Sequence, residues 1–273
     1  MVFENILDYR VAEKKSFLVF LYAFILTTIS IFVGSMIFPE SASIVFLFLI
    51  TIPAAQMVYN ELKEDEKEDE KSPCIDCNFI ERNERIVKVY SFLFLGCLFA
   101  VSFWHTFLPA GEYDYLFSRQ IETIENIRSG INDAQTGNAS SSINSFFEIT
   151  LNNFRVMFLA FIFSFVFGSG ALFIIFWNAS VIGVFVSQMA VEMGHIGIPG
   201  MAHMLVLTSI FLHGLPEAVA YFVAGIAGGI LSIGIIRGKQ DKIIMKDAFV
   251  LFCASLILIV FAGFIEVWIS PFL

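Results

Sequence analysis

The tightest constraint on this chain lies towards its C-terminal end. Residues 218–236 run for about 19 positions without a charged side chain, enough to cross a hydrocarbon slab of about 30 Å as one helix. Ahead of them stand Phe211-Leu212-His213-Gly214-Leu215-Pro216-Glu217, and ahead of those another apolar run from Met204. A single helix from Met204 to Ile236 would be about 50 Å long. It must therefore break or run well past the membrane. Pro216 lacks an amide donor and its ring meets the carbonyl of Leu212, while Gly214 loosens the chain beside it, so a break is expected at His213–Glu217. His213 and Glu217 then head the crossing that follows. Ionisable groups at membrane depth are functional candidates by default.

The rest of the chain reads the same way. It is 58% hydrophobic and 15% charged, with 33 Phe among its 273 residues, where a soluble domain carries about a quarter charged residues. The expected fold class is all-α, a polytopic transmembrane helical bundle with amphipathic surface helices. Residues 3–11 form one such surface helix, with Phe3, Ile6, Leu7 and Val11 on a face. Spans follow over 16–38, 43–59 and 86–108, and a very polar, solvated loop is expected at 61–71. Between the third and fourth spans, Leu116, Ile121, Ile124, Ile127 and Ile131 mark a second surface helix. Residues 153–189 are too long for one crossing and must turn at Gly168-Ser169-Gly170 or at Trp177-Asn178. A last span runs over 248–269. The chain divides into an N-terminal portion (1–85), a third span with an external segment (86–150) and a motif-bearing membrane core (151–273).

Lys and Arg orient these spans. Seven crossings with the N-terminus in the cytoplasm and the C-terminus outside put thirteen of the 16 basic residues on the cytoplasmic side, leaving Arg119, Arg128 and Arg155 on or near the other. Six or eight would strand one of the groups. The expected location is the cell membrane and the expected surroundings are the lipid bilayer. A net charge of −9 without a basic face excludes nucleic-acid binding.

With that topology Glu217 and the Asn152-Asn153-x-Arg155 stretch begin inward-running helices at one surface. Asn152, Asn153 and Arg155 are expected to meet His213 and Glu217 in one outward-lying polar cluster. Glu217 in the first turn after Pro216 also suits the positive end of the helix dipole. The plain alternative is that these groups cap helix ends. Glu266, near the outer end of the last span, reads as a lone interfacial carboxylate.

Metal, with zinc as the candidate cofactor, has two candidate sites. His213 and Glu217 are four apart, as in metal-binding helices, but Pro216 spoils the geometry and a third ligand is hard to find. Cys74-Ile75-Asp76-Cys77 is half a zinc site with no second pair in the chain, and no thioredoxin-like context supports a redox role. Two reduced thiols are the simpler reading. Asn138-Ala139-Ser140 matches the N-glycosylation pattern. Small residues at Ala224, Gly225, Gly228 and Gly229, with Gly168 and Gly170, allow close helix approach, within the chain or at a homo-oligomer interface.

Two blocks carry a family resemblance. Asn152-Asn153-Phe154-Arg155, then Phe167-Gly168-Ser169-Gly170, then Asn178 with Gly183 are similar to an NN-x-R, FG-x-G and N-x4-G pattern. His213-Gly214-Leu215-Pro216-Glu217 followed by the 224–229 small-residue run is similar to an HG-x-x-E helix. Together they resemble the stage II sporulation protein M family over about a third of the chain, with Ala179 where the family commonly has Gly. The resemblance implies an all-helical membrane protein, and the founding sporulation role is to organise cell-wall-degrading partners at an engulfing membrane. It adds Asn178 to the candidate cluster. The residues favour a non-enzymatic scaffold or assembly factor for membrane or envelope proteins. The alternatives are a metal-assisted intramembrane enzyme and a transporter or channel component that uses the broken helix as its site. No nucleophile motif supports the enzyme and no inverted repeat supports the carrier.

Overall fold

A computed structural model describes residues 16–71, 79–134, 140–194, 199–236 and 242–268. The described residues form helices and short connections, with no strand among them. In chain order these are α1 (Ser16–Ile37), a 3-10 turn (Pro39–Ser41), α2 (Ala42–Lys71), α3 (Phe79–Phe107), α4 (Ala110–Leu116), α5 (Ser118–Ala134), α6 (Ser140–Phe167), α7 (Ala171–Gly194), α8 (Pro199–Ile236) and α9 (Lys242–Trp268). Seven stretches are long and apolar enough to cross a membrane: Phe17–Ile37, Pro39–Leu62, Arg85–Phe107, Ile143–Phe167, Ala171–Val191, Pro216–Ile236 and Ile244–Trp268. The expected seven-span bundle is therefore present. The N-terminal surface helix at 3–11, the Cys74/Cys77 pair and Asn138 lie outside the described residues.

Of the two places where the 153–189 run could turn, the chain uses Gly168–Gly170. Gly168 has φ of +75°, a left-handed conformation that costs glycine little and other residues much. A Cβ on Gly170 would lie 2.3 Å from the Phe163 carbonyl oxygen, so the return into α7 is closed to larger residues.

Two local expectations differ from the structure. The acidic stretch 61–71 is not a loop but the last turns of α2, which runs on to Lys71. Glu and Lys are good helix formers, and Glu64/Lys67 and Glu68/Lys71 stand at the i,i+3 spacing that supports a helix. Nor does Pro216 interrupt α8, which is helical from Pro199 through Ile236. A proline removes one backbone bond and strains one turn, and a helix packed on both sides can carry that without ending. Pro216 instead marks where the apolar crossing begins.

Packing joins α1 to α3, α3 to α7, and α6 to both α8 and α9. The closest approach is at the small-residue run. A Cβ on Gly228 would lie 2.2 Å from the Phe161 carbonyl oxygen and 2.9 Å from the Phe165 amide nitrogen, so α6 and α8 touch backbone to backbone. Gly225 faces Ala171, Gly229 faces Gly168, and Ala224 is fully buried. These small residues all serve contacts within the chain. At the other end of the bundle α4 and α5 cap it, sinking Leu116, Phe117, Gln120 and Ile124 among the spans. The opposite face of α5, with Arg119, Glu122 and Glu125, is exposed.

Candidate functional site

Three crossings, α6, α8 and α9, meet near one end of the bundle, and each brings a polar side chain. Asn153 on α6 donates from Nδ2 to Oε1 of Glu217 on α8. One turn along α8, the Tyr221 hydroxyl donates to Oδ1 of the same asparagine at 3.2 Å. Glu217 and Tyr221 are four apart and share a helix face. From α9, Glu266 lies close enough to Glu217 for the two carboxyl groups to interact. The floor is apolar: Met157, Ala220, Ala224 and Ile259 are buried directly beneath. Asn153 is only 7% exposed, and its amide serves as donor to one partner and acceptor to the other.

The structure thus joins Asn153 to Glu217 and separates Asn152, Arg155 and Asn178 from them. Asn152 and Arg155 are exposed. Arg155 stands two residues beyond Asn153, about 200° around a helix, and so faces away from the cluster. Asn178 bonds the Ile174 carbonyl of its own helix at 2.8 Å. His213 lies in α8, but its side chain is outside the described residues. Glu266 is not a lone carboxylate, since Glu217 is its partner. Among the described residues no three His, Cys, Asp or Glu side chains gather to hold a metal ion.

The reading from sequence missed Tyr221 and the pairing of Glu266 with Glu217. Their signal was the i,i+4 step from Glu217 and the matching depth of the ends of α8 and α9. It also missed a second buried polar group between α3, α5 and α7. There Ser187 accepts or donates at 2.8 Å to both His105 Nδ1 and Thr106 Oγ1. Gln120, wholly buried, donates to the Ser43 carbonyl and to Ser180 Oγ. The His105 ring packs on Tyr113 at 4.4 Å between centroids, which ties the α4–α5 cap to the crossings.

The outward side of α6 is unusual for a membrane crossing. Glu148, Asn152, Arg155, Leu159, Ile162 and Val166 are all exposed and recur at alternating steps of four and three along one face. Arg155 lies two residues beyond Asn153, close to the level at which Glu217 opens its crossing. The asparagine–asparagine–x–arginine run is thus split across its helix, with one amide locking the core and the other amide and the guanidinium turned outward.

The sequence profile of the stage II sporulation protein M family matches residues 89–271, two-thirds of the chain. The protein belongs to the stage II sporulation protein M family. An uncharacterized protein of Methanocaldococcus jannaschii is 31% identical over 151 residues, covering 52% of this chain and 81% of that relative. No solved structure matches the chain. The family region of this stage II sporulation protein M-type chain contains Asn153, Glu217, Tyr221 and Glu266 as well as the split motif on α6, while α1 and α2 precede it.

Proposed function

We propose that this member of the family is a non-enzymatic scaffold of the cell membrane that assembles with other membrane or envelope proteins. The observation that carries the reading is the outward α6 face, where Asn152 and Arg155 stand exposed on a membrane crossing. Side chains of a second membrane protein can satisfy an exposed amide and guanidinium on such a crossing. The Asn153–Glu217–Glu266–Tyr221 cluster serves this role by fixing α6 against α8 and α9, so that the face is presented rigidly. The distribution of Lys and Arg supports an N-terminus in the cytoplasm and a C-terminus outside, which sets the cluster towards the outer surface. The test is purification from native membranes in mild detergent. The native protein retains a stoichiometric companion that the Asn152→Leu/Arg155→Leu double variant loses; identical composition of the two preparations overturns the scaffold.

One observation favours a second reading, a proton- or cation-coupled carrier. Two carboxyl groups brought near one another on neighbouring crossings form a site that can take up and release a proton. Uptake into liposomes driven by a pH gradient and lost in Glu217→Gln would support it, while folded protein that moves neither protons nor monovalent cations would remove it.

A further inference from the structure

The polar group between α3, α5 and α7 fixes where its own hydrogens lie. Thr106 Oγ1 donates to the Ser102 carbonyl at 2.7 Å, and that bond takes its only hydrogen. The 2.8 Å contact between Thr106 and Ser187 is then made by the Ser187 hydroxyl donating. Ser187 has no second hydrogen, so its 2.8 Å contact with His105 needs the hydrogen on Nδ1. Hydrogens thus run one way, from His105 through Ser187 and Thr106 to a backbone carbonyl. Of the two neutral forms of the ring, only the one with a bare Nε2 fits.

The same count fixes Gln120. Its amide nitrogen donates at 3.0 Å to the Ser43 carbonyl and at 3.1 Å to Ser180 Oγ. A carbonyl cannot donate, and the Ser180 hydrogen goes to the Trp177 carbonyl at 2.7 Å. Turning the amide over would set oxygen against oxygen at both partners, so Oε1 is left as an acceptor. Neither it nor His105 Nε2 meets a donor among the described residues, although His105 is 4% exposed and Gln120 0%. Phe117 links the two side chains, standing one turn before Gln120 and packing on the His105 ring at 5.8 Å between centroids.

We propose that ordered water is bound beneath the α4–α5 cap and supplies the hydrogens that His105 Nε2 and Gln120 Oε1 lack. Two buried acceptors linked through one side chain require a small molecule with two hydrogens to give, and water is that molecule. A metal ion would find one imidazole nitrogen and one amide oxygen there, short of the set that holds it. An ammonium ion would bring a full charge, and the Asp114 carboxylate of the cap is exposed rather than turned inwards. The bound water makes the cap part of the bundle, since it holds α5 and α3 through groups that no protein donor reaches.

The test is solid-state NMR of the full-length protein in lipid bilayers, with His and Gln labelled in carbon and nitrogen. The His105 and Gln120 signals are assigned by their loss in His105→Asn and Gln120→Met. At neutral pH the native His105 ring should show a protonated Nδ1 and a bare Nε2. Water protons should pass magnetisation to the ring carbons beside Nε2 and to the Gln120 side-chain carbonyl. Ser187→Ala removes the acceptor of the Nδ1 hydrogen and should bring up the form protonated on Nε2, with unmoved Gln120 signals showing that the cap is folded. Thr106→Val frees the Ser187 hydrogen to be given to Nδ1 and should shift the ring the same way. A proton on Nε2 of the native ring, in the other neutral form or the doubly protonated one, overturns the proposal. So does a ring that keeps its form in both folded variants, and so does magnetisation from water that reaches neither His105 nor Gln120.

Discussion

Replacing Asn153 by leucine removes the centre of the buried cluster while leaving a side chain of similar bulk. Two hydrogen bonds go, from Nδ2 to Glu217 and from the Tyr221 hydroxyl to Oδ1. Interhelical side-chain bonds in membrane proteins average about 0.6 kcal/mol and reach about 1.7. The bonds alone therefore account for roughly 1–3 kcal/mol. The leucine also orphans the Tyr221 hydroxyl and one carboxylate oxygen among buried apolar neighbours, and each orphan costs about 1–3 kcal/mol before relaxation. Partial rearrangement towards Glu266 offsets some of that, so the net loss expected is about 2–4 kcal/mol. Reversible unfolding in mixed micelles measures it, with fluorescence of Trp104, Trp177 and Trp268 as the signal. Tyr221→Phe alone should cost about 0.6–1.7 kcal/mol, and much less once Asn153 is leucine. Strict additivity of the two changes, or an Asn153→Leu protein as stable as the native one, would refute the geometry of the cluster.

Other perturbations test the frame around it. Gly228→Val should separate α6 from α8 and lower stability by about 1–3 kcal/mol or more, because the new Cβ meets backbone atoms at 2.2 and 2.9 Å; thermal unfolding in detergent reads it. At the other end of α3, Arg85 Nε lies 2.9 Å from Glu61 Oε2, and the Glu61 side chain is 1% exposed. Glu61→Ala should lower stability in the same assay by up to about 3–5 kcal/mol by removing this partner of Arg85, whereas an apolar pair replacing both residues should cost far less. Cysteines at residues 40 and 169, in the turns after α1 and α6, should label from opposite sides of sealed vesicles, and labelling from one side would contradict the crossing pattern.

Much of the architecture was legible because lipid imposes a length and an apolarity that few sequences satisfy by accident. The seven crossings and a turn within 153–189 follow from that alone, but the choice of Gly168–Gly170 over Trp177-Asn178 came from the structure. The meeting of Asn153 with Glu217 was legible from depth, since both open crossings at the same end. Arg155 was misjudged by ignoring rotation: two steps along a helix carry a side chain to the opposite face, so Asn153 and Arg155 cannot share a cluster. Depth reasoning already set Glu266 at the surface where Glu217 opens its crossing, and what it lacked was the rotation that turns α9 towards α8. The acidic stretch 61–71 was misread because charge was taken for disorder, although Glu and Lys sustain helices. The His105–Ser187 contact joins residues 82 apart through small hydroxyls that carry no pattern of their own, and only packing reveals it.

The most direct test is photo-crosslinking in native membranes from a small diazirine side chain placed singly at positions 152, 153 and 155. From 153 the adduct should stay within the chain and map to the Glu217–Tyr221 turn of α8, while from 152 and 155 it should join a different protein. Adducts from 155 that map to α8, with those from 153 reaching lipid, would contradict the account.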